Sequence, residues 1–68
     1  MTNSKVESGY MSVSHREKRN VAGEYSDVIA IRIVNEDHHF VMDIEIDPAD
    51  YGRATTGLVV KCKMIKEE

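Results

Sequence analysis

The hexapeptide NEDHHF, Asn35 to Phe40, sets two adjacent histidines beside two carboxylates. Residues of these types can hold a metal ion or exchange protons. A zinc site needs about four nitrogen or sulfur ligands converging tetrahedrally. Adjacent side chains in an extended stretch point to opposite sides, so His38 and His39 are poorly placed to share one ion. The other candidates, His15 and Cys62, lie far away in sequence and show no ligand spacing. Turn chemistry accounts for the hexapeptide more simply. Asn35, Glu36, Asp37 and His38 suit a solvated turn, with His39 opening the next strand. No metal and no other cofactor is expected.

Nucleophilic catalysis would pair Cys62 with His15, His38 or His39. Cys62, however, falls in phase with Leu58, Val60 and Met64, a row in which a free cysteine behaves as a small core hydrophobe. Asp43 and Glu45 are paired carboxylates, but on a sheet they stand side by side on an exposed face without a pocket. No glycine-rich phosphate loop is present. The chain is therefore read as non-enzymatic.

Charge gives the next distinction. The net charge of −3 is unevenly spread. Residues 1–20 carry a net +2, residues 21–57 a net −6, and residues 58–68 a net +1. An acidic body argues against a nucleic-acid clamp built from the whole chain. Two surfaces remain as candidates. Asp43, Glu45, Asp47 and Asp50 would form an acidic face able to steer a basic protein partner. A simpler reading pairs Asp43 and Glu45 with Arg32, Lys61 and Lys63 on neighbouring strands. The basic arm of His15, Arg16, Lys18 and Arg19 is the alternative, suited to salt-sensitive contact with nucleic acid.

The elements that must position these groups follow from hydropathy patterning. VIAIRIV, 28–34, is rich in β-branched residues. FVMDIEI, 40–46, alternates cleanly, with Phe40, Met42, Ile44 and Ile46 on one face. LVVKCKMI, 58–65, repeats the pattern with Leu58, Val60, Cys62 and Met64. Three strands of this kind predict an antiparallel meander. Ile31, Ile33, Met42, Ile44, Val60 and Cys62 form the predicted core. DPADYGRATTG opens with Asp47 as N-cap and Pro48 at the first helical position, and Gly52 is placed to end one helical turn. YMSVSH reads as a further short strand. SHREKRNVAG reads either as a short helix, with Ser14 and Glu17 as a capping box and Gly23 as its stop, or as a basic loop. Residues 1–9 read as a disordered tail, and 10–68 as one domain. The expected fold is mainly β, or a small α+β, with three to four antiparallel strands and a short helical turn.

At 68 residues, apolar burial and the cost of ordering the chain nearly cancel, at about 100 kcal/mol each. A lone cysteine excludes an internal disulfide and fits a reducing compartment, and no apolar run approaches a membrane span. A cytoplasmic protein follows. A three-stranded meander also leaves its apolar face open, which predicts a homodimer. In size, acidity and want of catalytic machinery the chain is similar to small accessory proteins of phages and mobile elements, which bind and often inhibit a host protein. The resulting expectation is a protein-binding inhibitor or regulator acting through the acidic face. A nucleic-acid-binding accessory protein using the basic arm comes second, and a structural subunit of a larger assembly third.

Overall fold

A computed structural model describes residues 5–67. Four antiparallel strands form one sheet in the order β1-β2-β3-β4: β1 (Gly9–Arg19), β2 (Tyr25–Asn35), β3 (Phe40–Ile46) and β4 (Lys63–Lys66). One helix, α1 (Pro48–Ala54), follows β3 and packs against β2. The meander is thus mainly β, as its alternation predicts. Of the expected disordered tail, residues 1–4 lie outside the described residues, while Gly9 is the first residue of β1.

β1 corrects the reading of residues 14–23. SHREKR is neither helix nor loop but the second half of an eleven-residue strand, paired with β2 from Gly9↔Asn35 to Arg19↔Tyr25. Its own residues supply little apolar surface, so pairing with β2 overrides local preference. Charged residues suit a strand at a sheet edge, where they discourage further pairing.

Both β-hairpins are built on one design. Asn20 N–H donates to Glu24 O at 2.9 Å, Gly23 N–H donates to Asn20 O at 3.0 Å, and the Asn20 side chain accepts from Glu24 N–H at 2.9 Å. Asn35 repeats these contacts with His38 and His39, and its Oδ1 also accepts from Asp37 N–H. Each loop needs a left-handed residue before the strand resumes. Gly23 supplies it in the first, at φ 84°, and His38 in the second, at φ 64°. Gly23 is therefore a hairpin residue, not a helix stop. A Cβ at Gly23 would meet nothing within 4 Å. Gly23→Ala is thus expected to cost about 1–2 kcal/mol through backbone strain alone. Chemical denaturation should find that loss without a change in m-value.

A β-bulge at Ile33/Val34 leaves Val41 without a directly opposite residue, so that Val34 faces Phe40 and Ile33 faces Met42. Directly opposed residues share a face. Phe40 therefore joins Val34 and leaves the face of Met42, Ile44 and Ile46, contrary to its predicted phase. A single extra residue is sufficient for such a reversal.

α1 begins as its sequence predicts. Asp47 accepts from Ala49 N–H at 2.9 Å, and Pro48 occupies the first turn. Its end differs. Gly52 lies inside the helix, and Gly57, at φ 93°, is the stop. Gly57 N–H donates to Ala54 O at 3.0 Å and Leu58 N–H to Arg53 O at 3.3 Å, the paired bonds of a Schellman cap. The longer helix shortens the last strand. Glu45↔Lys63 is the final pair of β3 and β4, so residues 58–61 lie beyond the end of β3 and find no partner there.

The register sorts side chains into two faces. One carries the rows Met11–Ile33–Met42, Val13–Ile31–Ile44–Met64 and His15–Ile29–Ile46. This is the Ile face. Among its described residues only Ile46 is buried, at 6 % exposure; Ile29, Ile31, Ile33, Met42 and Ile44 are half-buried. The predicted core residues on the strands thus share one face, but among the described residues nothing seals it. Val60 is half-buried as well, and Cys62 is exposed because it precedes β4.

Candidate functional site

The other face, the outer face, gathers the charged groups. Its rows are Tyr10–Val34–Phe40, Ser12–Arg32–Asp43–Ile65, Ser14–Ala30–Glu45–Lys63, Arg16–Val28 and Lys18–Ser26. Asp43 and Glu45 are 9 % and 8 % exposed, which is unusual for carboxylates. Each has a cation. Arg32 grips Asp43 with a two-pronged contact, Nε to Oδ1 and Nη2 to Oδ2, both at 2.9 Å. Lys18 Nζ reaches Glu45 Oε1 at 2.6 Å, from β1 across β2 to β3. Lys18 is opposite Ser26 and Glu45 is opposite Ala30, so the contact runs diagonally over Val28.

Asp43 is held below the usual carboxylate range. The hydrogen bonds from Arg32 act most strongly; burial opposes them, and the charges of Arg32 and Arg16 add to the lowering. Arg32 is correspondingly held in its protonated form, first by the same hydrogen bonds and then by the charge of Asp43. The sign of the pH effect follows. A carboxylate with a depressed folded pKa contributes stability above its unfolded pKa of about 3.9 and loses it as pH falls through the folded value. Acid titration should therefore erode stability below about pH 4, and Asp43→Asn should remove part of that erosion.

These pairings meet the expectation of cross-strand ion pairing, with one change of partner: the cation of Glu45 is Lys18, not Lys61 or Lys63. They also correct the expectation of an open acidic face. Arg32 and Lys18 are half-exposed while the carboxylates beneath them are not. Of the other two residues assigned to that face, Asp47 caps α1 and Asp50 binds Arg53 at 2.8 Å. Glu45, Asp47 and Asp50 do converge on a shallow cleft of about 600 Å³, but Lys18, Lys61 and Lys63 line it too. Cys62 also lines this cleft, and no histidine does.

The proposed basic arm is likewise rearranged, because it is a strand. Alternation puts Arg16 and Lys18 on the outer face and His15 and Arg19 on the Ile face. His15 Nε2 lies 3.6 Å from Asp27 Oδ1, and Arg19 hydrogen-bonds the Tyr25 hydroxyl with its guanidinium over the ring. The histidines of the hexapeptide occupy the hairpin tip, with His38 stacked on Tyr10 at 4.6 Å between ring centres. Among the described residues no three His, Cys, Asp or Glu side chains form a metal-binding group.

Sequence reasoning missed Phe40 on the outer face, where the Arg32 guanidinium lies 5.5 Å from its ring centre. No local signal marks the bulge that puts it there. No protein-family model matches the chain, and no curated protein or solved structure matches it. Among the described residues no helix is long and apolar enough to cross a membrane.

Proposed function

We propose that the protein is a small non-enzymatic protein-binding module, of inhibitor or regulator type, working in the cytoplasm. The observation that carries this reading is the outer face. Lys18 and Arg32 stand on carboxylates that hold them in place, and Arg16 and Lys63 lie on the same face beside them. Preorganised charge of this kind favours recognition and fast encounter over chemistry. A partner meets the cations first, so its contact surface is acidic rather than basic. The lone thiol suits a reducing compartment.

The test uses Arg16→Glu/Lys63→Glu, which replaces no member of the Arg32–Asp43 and Lys18–Glu45 pairs; because position 63 faces Glu45, the variant is used once circular dichroism has verified its fold. Immobilised wild type and variant are exposed to the same cell lysate, and retained proteins are quantified by mass spectrometry. A protein held by wild type and lost by the variant is the expected result. Identical retention by both would reject the outer face as the contact.

A second reading is favoured by one observation: the bulge brings Phe40 onto the same face as Tyr10, Arg16, Lys18 and Arg32. Aromatic rings among cations can stack nucleic-acid bases. Gel shifts with a single-stranded oligonucleotide across a salt series separate the two. Nucleic-acid binding requires affinity that falls steeply with salt and weakens in Phe40→Ala.

A further inference from the structure

The Ile face poses a separate problem. The chain exposes 5976 Å², about 1,600 Å² more than the roughly 4,300 Å² that size scaling gives for a compact monomer of 7.7 kDa. One partner in a standard interface contributes about 800 Å². The surplus is spread over the hairpin tips, residues 55–62 and both sheet faces, but it is twice what one partner contributes and leaves room for a stable interface on the Ile face, where Met11, Val13 and Met64 are exposed. Its most apolar part is the row Val13–Ile31–Ile44–Met64, which crosses all four strands without a charge.

We infer that this face is covered by the same face of a second copy of the chain, stacked sheet on sheet about 10 Å apart. Self-complementarity favours that occupant. Residues near a two-fold axis meet their own copies, so a charge at the centre of the face would meet its like. Here the centre is uncharged. The polar and charged groups, His15 beside Asp27, Glu17 and Arg19, and on the far side Lys66, lie toward its ends. Two sheets of one sequence also share one twist, which lets them stack in alignment. Permanence points the same way. The buried hydrophobic residues of the described chain are Ala30 and Ile46. A cover so necessary must accompany every molecule, and an identical chain is always present at matching concentration.

The dimer leaves both outer faces in solvent, so this inference is independent of the partner proposed above. Sedimentation equilibrium of the full chain across the micromolar range is expected to find twice the chain mass, with a melting temperature that rises with concentration. Val13→Lys and Met64→Lys are the informative variants. Both residues are already exposed in the single chain, at 46 % and 64 %, so an isolated chain tolerates lysine at either position. In the stacked dimer each lysine meets an apolar surface. Both variants should therefore shift the equilibrium toward monomer, whereas Ile65→Lys, on the outer face and 44 % exposed, should not. Should either variant unfold, peroxide oxidation of wild type provides a second readout: Met11 and Met64 should react more slowly as concentration rises. Monomer mass with concentration-independent melting overturns the inference. So does a dimer indifferent to both lysines, which would assign association to another surface such as the outer edge of β1. Arg16→Glu/Lys63→Glu should lose the partner yet keep the dimer mass, so the two readings fail separately.

Discussion

Ile44→Ala is expected to abolish cooperative folding at low protein concentration and to lower the melting temperature steeply at high concentration. Ile44 sits between Ile31 on β2 and Met64 on β4 in the central row of the Ile face. Removing an isoleucine side chain from a covered core costs about 2–5 kcal/mol. A chain of this length has a total stability of roughly 3–10 kcal/mol. The loss is thus a large share of the whole.

The single chain by itself sets a smaller loss. Ile44 is half-buried there, so truncation removes only part of the transfer free energy, about 1 kcal/mol. The size of the effect therefore reports whether the face is covered. Thermal melts of wild type and variant at several concentrations decide it. A variant that melts within a degree or two of wild type at every concentration would remove Ile44 from any core, in the chain or between chains.

The limits of what the sequence reveals have physical causes. β3 is legible to the residue because FVMDIEI has one polar and one apolar face and is bounded by a turn and by Asp47-Pro48. The hairpin tip is legible because Asn35 is a turn residue with its own backbone contacts. β1 is not, since Ser14 to Arg19 becomes a strand only by pairing with β2. That miss propagates to the site. Without β1 in the sheet, nothing points to Lys18 as the cation of Glu45, and the acidic row appears open. Arg32 and Asp43, by contrast, lie on the two strands the pattern does find, and their pairing is legible. Phe40 and residues 58–62 are misplaced for a common reason: the bulge and the extra length of α1 each interrupt an alternation that the sequence continues without a break.

Arg32→Met is expected to produce a large electrostatic loss of stability. It takes both hydrogen bonds from Asp43, a carboxylate only 9 % exposed beneath Arg32 in the wild-type chain. Breaking such a pair is worse than never having built it, because the remaining charge stays buried without its partner. Asp50→Ala gives the comparison. Its partner Arg53 is exposed, and surface pairs of that kind contribute little. The loss in Arg32→Met should clearly exceed the loss in Asp50→Ala. The pH dependence provides a signature that misfolding from lost packing would not share. In wild type, Arg32 depresses the pKa of Asp43, and acid weakens the fold. In the variant the guanidinium is absent, Arg16 alone still favours the charged form, and burial acts against it. Protonating Asp43 then relieves the variant while it harms wild type. The gap between their melting temperatures should narrow as pH falls from neutrality through the carboxylate range. Arg32→Met/Asp43→Leu, which replaces both charges by apolar groups, should recover most of the loss at neutral pH. A gap unchanged by pH, together with a double variant no more stable than the single one, would show that Arg32 acts through its packing over Phe40 and not through Asp43.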